Sequence, residues 1–294
     1  MGVHTMEPVG HDVYVIAEAG ACGDGKLSLM LRQIDEASEA GADAVKFQWT
    51  SHALEMSLRR GKAKDDGYAE IYRRYLEWPT DWHEQLAVRC DRRGVDYMCA
   101  VYLSQDIGTV ARYVRHFKVS SFEANDFNFL KAHHVFIDNR RCRQHLFVST
   151  GLATETDCSL IVDACDWLNQ ERLVLMQCNS AYPTPLHDMN LSAIRRYERL
   201  GMRGYSDHTD PTRTMTGAYA ALAGAKFIEA HVRLTDSSEV DNDNPDIGHA
   251  MHAKQFADYV RQIREAERVL GIGTKHVTES ALPMTRYAVQ QSDQ

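Results

Sequence analysis

Two histidines stand at equivalent places in successive segments of the chain, His208 in GYSDHT and His231 in EAHV. Each closes a short apolar run. If those runs are neighbouring strands, the two imidazoles can share one divalent ion and leave positions open for substrate and water. Either histidine alone is accounted for by a hydrogen bond; the pair is what points to a metal. Lysines inside apolar runs are a second signal, because a buried ammonium is costly without a partner. Lys46 in AVKFQ and Lys118 in FKVSS fit this description. They can face an anionic ligand, or an internal carboxylate such as Glu18 or Glu123. Ser121, Ser149, Thr150, Ser180 and Ser206 follow similar runs and add short donors suited to phosphate and carboxylate oxygens.

Glu18 closes another run in VIAEAG, and Asp207, Glu229 and Asp241 are further acids near the ends of the last two runs. Any of them can move a proton, orient a ligated histidine or pair with a lysine. Tyr182-Pro183-Thr184-Pro185 must be a stiff, extended loop that shapes a wall.

These residues need a scaffold that brings many strand ends together. Eight runs rich in Val, Ile, Phe and Tyr recur at 14–17, 44–48, 96–100, 116–120, 145–149, 173–178, 204–207 and 227–231. Segments with apolar residues three and four apart lie between them, at 27–40, 82–93, 160–169, 191–200 and 212–223, with a last one near 254–270. The alternation predicts an α/β chain folded as a single-domain (β/α)8 TIM barrel. Gly41, Gly94, Gly201 and Gly224 suit helix ends, whereas the chemistry-bearing residues sit where strands run into helices, the face on which such barrels build active sites. The barrel is expected over 12–275, with an extension over 1–11 and a tail over 276–294. The stretches 50–75 and 235–252 are too long for plain connections and read as lids or substrate loops.

Composition narrows the function. The 33 basic and 41 acidic residues give a net charge of −8 with no large basic block, which argues against nucleic acid or anionic lipid as a partner. Seven scattered cysteines without a C-x-x-C pair fit a reducing compartment better than a disulfide framework. With no apolar signal core at the start and no membrane-length run, a cytoplasmic location is expected.

The ordered motifs IAEAG, GADAVKFQ, FKVSSFE, STGLAT, CNSAYPTP, GYSDHT and GAKFIEAH resemble those of the sialic acid synthase family, from Val13 to about Ser280. The resemblance implies a TIM barrel that condenses phosphoenolpyruvate with an N-acetylmannosamine-like or other amino sugar, giving a 2-keto-3-deoxy sugar acid and phosphate. It implies a divalent metal, Mn2+ first with Mg2+ or Co2+ as alternatives, on His208 and His231. Lys46, Lys118, Ser121, Ser149 and Ser206 match positions that bind phosphoenolpyruvate. Glu18, Glu123, Tyr182 and Asp241 match residues near the sugar and the reacting centre.

This chain departs from the family pattern at several places. It has Cys22-Gly23-Asp24-Gly25 for Asn-His-Asn-Gly, and Cys99-Ala100-Val101-Tyr102 for Ser-Thr-Pro-Phe. Ser180 stands for an Asn and Ala230 for a Lys. The C-terminal antifreeze-like domain, through which family members dimerise, is expected to be absent, so homo-oligomerisation is not implied by the resemblance and the acceptor can be a different aldehyde sugar. The alternatives are a metal-dependent aldolase or lyase on another phosphorylated substrate, and a noncatalytic barrel that binds a sugar acid.

Overall fold

The computed structural model describes residues 12–62, 67–137, 144–236, 238–239, 241, 243–271 and 273–288. All eight apolar runs become parallel strands: β1 (Tyr14–Gly20), β2 (Ala44–Trp49), β3 (Asp96–Val101), β4 (His116–Val119), β5 (Leu146–Ser149), β6 (Leu173–Gln177), β7 (Met202–Asp207) and β8 (Phe227–Arg233). They pair in chain order and β8 closes on β1, with Tyr14 opposite Phe227 and Glu18 opposite His231. This is a (β/α)8 barrel. A short β9 (Met251–His252) pairs with the end of β8 beyond the barrel wall.

The helices are α1 (Leu27–Glu39), α2 (Ala53–Arg59), α3 (Tyr68–Leu76), α4 (Trp82–Arg93), α5 (Ser104–Val110), α6 (Phe127–Ala132), α7 (Glu155–Ala164), α8 (Ser192–Arg196), α9 (Thr216–Leu222) and α10 (Ala253–Leu270). Gly94, in the left-handed region at φ 70°, ends α4 as its place in the sequence predicts. Helix α7 starts five residues before the expected segment because Thr154 and Asp157 form a capping box. The described residues of the 50–75 stretch form two helices, α2 and α3. Among the described residues no helix is long and apolar enough to cross a membrane.

The period-two rule of a strand explains how one sheet serves both stability and chemistry. Ile16, Ala44, Met98, Phe147, Val174 and Met176 point inward and fill the lower barrel, with Tyr14 and Phe227 against them. Two residues further along the same strands, Glu18, Lys46, Ser149 and Glu229 point inward again and line a cavity at the mouth. Outward residues such as Val15, Val45, Val148 and Ala230 join the larger core under the helices. Ala230 therefore faces away from the mouth.

Asp207 is also outward. It accepts hydrogen bonds from Thr209 N (2.9 Å), Thr216 Oγ1 and Tyr259 Oη (3.0 Å), so it ties β7 to α9 and α10 rather than handling protons at the mouth. Six described cysteines are free and buried, and Cys142 lies outside the described residues. Asp207→Ala leaves those buried donors without an acceptor. The expected cost is about 3 kcal/mol, read as a fall in urea-unfolding free energy; a loss below about 1 kcal/mol would contradict the role.

Candidate active site

The cavity at the C-terminal mouth of the barrel has a volume of about 470 Å³. Its floor is a buried charge network. Lys46 Nζ lies 2.7 Å from Glu18 Oε2 and 3.4 Å from Glu229 Oε2. Lys118 Nζ lies 3.9 Å from Glu229 Oε1 and donates to Ser149 Oγ at 2.7 Å. Ser206 Oγ donates to Glu229 Oε1 at 2.9 Å, and Gln48 Nε2 donates to Glu18 Oε1 at 2.6 Å. All four ionisable groups are at most 3% exposed.

Burial and partner charges divide their protonation. Burial pushes the Glu18 carboxyl up, Glu229 adds to this and Lys46 opposes it, leaving it at about 7. Burial works against the Lys46 ammonium, but Glu18 and Glu229 outweigh it and hold it at about 12. Burial alone would raise Glu229, yet the two ammonium groups pull it below the usual carboxylate range. Lys118 is lowered by burial, with Glu229 only partly offsetting it. One carboxyl is thus poised to exchange a proton near neutrality while its neighbour stays ionised.

Above the floor stand the histidines. His208 Nδ1 donates to the Asn179 carbonyl at 2.6 Å, which leaves the lone pair of its neutral ring on Nε2, 3.3 Å from Tyr182 Oη and 3.2 Å from Ser206 Oγ. Burial lowers its pKa to about 4. The His208 and His231 rings are 5.5 Å apart between centroids. Burial, then His249 and His208, hold His231 well below its usual value. His249 reaches the same place from the 235–252 stretch, 4.6 Å from the His231 ring.

That stretch is pinned over the end of β1. Asn244 Nδ2 donates to Ala21 O (2.7 Å) and Asp24 Oδ1 (2.6 Å), and Asp246 Oδ2 accepts from Ala21 N at 2.7 Å. Gly20 makes the approach of Asp246 feasible. A Cβ there would sit 2.2 Å from Asp246 Oδ2, and its φ is 50°. Among the described residues, the ligand atoms of His231, Asp246 and His249 all lie within 4.8 Å of one another. The Nδ1 of His231 and Nε2 of His249 are buried without a hydrogen-bond partner. Neutral imidazoles with free lone pairs beside a carboxylate fit a divalent first-row cation.

The structure brings Glu18, Lys46, Lys118, Ser121, Ser149, Tyr182, Ser206, His208 and His231 to one cavity wall. Four other sequence candidates sit behind or beside it. Glu123 accepts from Arg60 Nε and Nη2 at 2.9 and 3.1 Å, so it holds Arg60 toward the cavity. Thr150 Oγ1 donates to Met176 O at 2.9 Å, bracing β5 against β6. Ser180 Oγ is buried without a partner, and a Cβ on Gly151 would sit 2.6 Å from it and 3.0 Å from Ser121 Oγ. Asp241 pairs with Arg74 and accepts from Tyr75 Oη at 2.9 Å on the outer side of the loop.

Asp246, His249 and Arg60 are not among the residues that the sequence pattern singles out, whereas Glu229, one of the acids expected to move a proton, orient a histidine or pair with a lysine, lies beside both Lys46 and Lys118. Only Glu229 carried a clear signal, two residues before His231 on one strand. The remaining wall is aromatic: Tyr68, Tyr72, Tyr75, Tyr102 and Phe122, with the Arg60 guanidinium 4.8 Å from the Tyr102 ring centroid and 4.7 Å from that of Phe122.

Residues 33–275 match the model of the NeuB family. The chain belongs to this family. It is 31% identical over 284 residues to a pseudaminic acid synthase of Campylobacter jejuni subsp. jejuni, covering 92% of this chain and 78% of the relative. Against the N-acetylneuraminate-9-phosphate synthase of Homo sapiens the identity is 28%, covering 91% of this chain and 74% of the relative. The fold matches the crystal structure of an N-acetylneuraminic acid synthetase from Leptospira borgpetersenii in complex with citrate, with a TM-score of 0.81 at 23% identity, over 94% of this chain and 91% of that one. The NeuB chain is a sialic acid synthase-like enzyme.

Replacing Lys46 by Met leaves Glu18 and Glu229 facing each other without their shared cation. The expected destabilisation is about 3–5 kcal/mol at pH 8. Losing Lys46 raises Glu18 further above its ordinary 4.5. A carboxyl raised on folding favours the fold while protonated, and wild-type Glu18 gives up its proton near pH 7, so the penalty relative to wild type grows as pH rises through about 7. Urea unfolding at pH 5 and pH 8 checks this; a loss equal at both pH values would contradict the coupling.

Proposed function

We propose that this NeuB-family chain condenses phosphoenolpyruvate with the open-chain aldehyde of an amino sugar, in a metal-dependent reaction giving a 2-keto-3-deoxy sugar acid and phosphate. NeuB-family sialic and pseudaminic acid synthases join phosphoenolpyruvate to a sugar. The observation that carries the reading is the juxtaposition, in one cavity, of a two-lysine anion floor, a carboxyl poised near neutrality and a cluster of neutral imidazoles.

Lys46 and Lys118, with Ser121, Ser149 and Ser206, offset and orient the charges of phosphoenolpyruvate's carboxylate and phosphate. A divalent cation on His208 and His231, Mn2+ in preference to Mg2+ for imidazole donors, would supply Lewis-acid polarisation of the acceptor carbonyl. C3 of phosphoenolpyruvate forms the new bond to the aldehyde carbon, water adds at C2, and the C2–O bond to phosphate breaks. Glu18 takes the proton from the attacking water and can return it to the new hydroxyl. Tyr182, whose ring centroid lies 4.3 Å from that of His208 at an interplanar angle of 31°, fixes the acceptor side of the imidazole group. The aromatic wall and Arg60 offer an apolar, hydrogen-bonding surface of the kind that receives a sugar with N-acyl substituents.

Phosphate release should appear with phosphoenolpyruvate, Mn2+ and at least one member of a panel of amino-sugar aldehydes; no turnover with any acceptor would count against the reading. His231→Ala should abolish it. In the wild type, kcat should rise with pH through about 7 as Glu18 becomes able to accept a proton. Glu18→Gln should lower kcat by roughly 100-fold or more and remove that limb. An unchanged profile would reassign the proton transfer.

A further inference from the structure

His231 Nδ1 and His249 Nε2 flank a single carboxylate, each 3.8 Å from an oxygen of Asp246. That separation is too long for a hydrogen bond, and neither nitrogen has another partner although both are buried. Burying two unsatisfied ring nitrogens against a carboxylate is unfavourable unless something sits between them. Two ligand atoms each about 2.1 Å from a shared cation lie roughly 3–4 Å apart, which matches these distances.

Both ion-pair separations found for Asp246 are to histidines, whereas Glu18 and Glu229 on the cavity floor are matched by Lys46 and Lys118. The carboxylate is held in place rather than free to turn toward a cation elsewhere. Ala21 N fixes its Oδ2, and the absence of a side chain at Gly20 admits it. His249 belongs to the same turn, its backbone N–H donating to the Asp246 carbonyl at 3.2 Å. Asp246 and His249 therefore move as one unit against His231.

We infer that His249 and Asp246 are cation ligands in this chain, joining His231 in a site whose donors come from β8 and the pinned 245–249 turn. The inference rests on the metal half of the proposed function, with which it shares His231. The turn thereby carries ligands to the barrel mouth, where a strand end alone offers one side chain. The site takes a first-row dication, Mn2+, Co2+ or Zn2+, in preference to Mg2+.

Mn2+ binding to the full chain, stripped with a chelator and without phosphoenolpyruvate or sugar, tests the inference. Isothermal titration gives affinity, and pulsed electron paramagnetic resonance counts the imidazole nitrogens coupled to Mn2+. One ion per chain is expected. His249→Ala should weaken binding at least tenfold and remove one nitrogen coupling. Asp246→Asn should weaken binding by a similar factor while keeping the couplings. Circular dichroism and thermal melting confirm folding; if His249→Ala does not fold, His249→Gln serves with the same expectation. Unchanged affinity and coupling in the His249 variant, or no binding by the wild type, overturns the inference. Mn2+ binding that depends on His249, with no phosphate release from any acceptor, would leave the inference standing and reject the proposed reaction.

Discussion

The structure depends on how the barrel mouth accommodates four buried charges. Lys46 sits between Glu18 and Glu229, and Lys118 reaches Glu229 from the other side. None of these groups can be left alone in a medium of low polarity, because an unpaired buried charge costs several kcal/mol. Paired in this way, they make a floor that is close to neutral but internally polarised. An arriving anion can then compete for the ammonium groups, and the carboxyl freed from Lys46 changes its proton affinity. A change of charge at any one of the four groups therefore shifts the proton affinity of the others.

The barrel makes that network tolerable by layering. The lower interior is filled by Phe147, Met98, Val174 and their neighbours, which exclude water and carry the hydrophobic stabilisation. The polar layer begins one pleat higher. Shifting any strand by one residue would exchange inward and outward side chains, turning Glu229 toward the helices and Ala230 toward the cavity. Register, enforced by the packed layer below, is therefore what protects the chemistry above. Asp207 contributes from outside by fastening β7 to α9 and α10.

Around this floor the two long stretches supply the remaining walls. Helices α2 and α3 bring aromatic rings and Arg60, oriented by Glu123 from the loop after β4. The 235–252 stretch brings Asp246 and His249, locked to the end of β1 through Asn244. The charged floor and the aromatic wall line one cavity, so its lining is ionic in one part and largely apolar in another.

The sequence by itself determined the eight strands, the inward lysines and the two strand-end histidines. Each is encoded locally, by alternation along a strand and by polar residues placed where an apolar run ends. Tertiary structure alone decided which charges pair. Glu123 reads like a catalytic acid in FKVSSFE, but its partner is Arg60, more than sixty positions away in sequence. Thr150, Ser180 and Asp241 lie beside the right strand ends yet point to a neighbouring carbonyl, a niche under Gly151 and an arginine of α3. Asp246 and His249 were hidden for the opposite reason. They sit in an irregular, polar stretch with no periodicity to give their direction, and only the closing of β8 against β1 brings that stretch over the mouth. Local pattern fixes which way a strand residue points; what it meets there is set by the barrel's closure and by loops whose path no short-range rule describes.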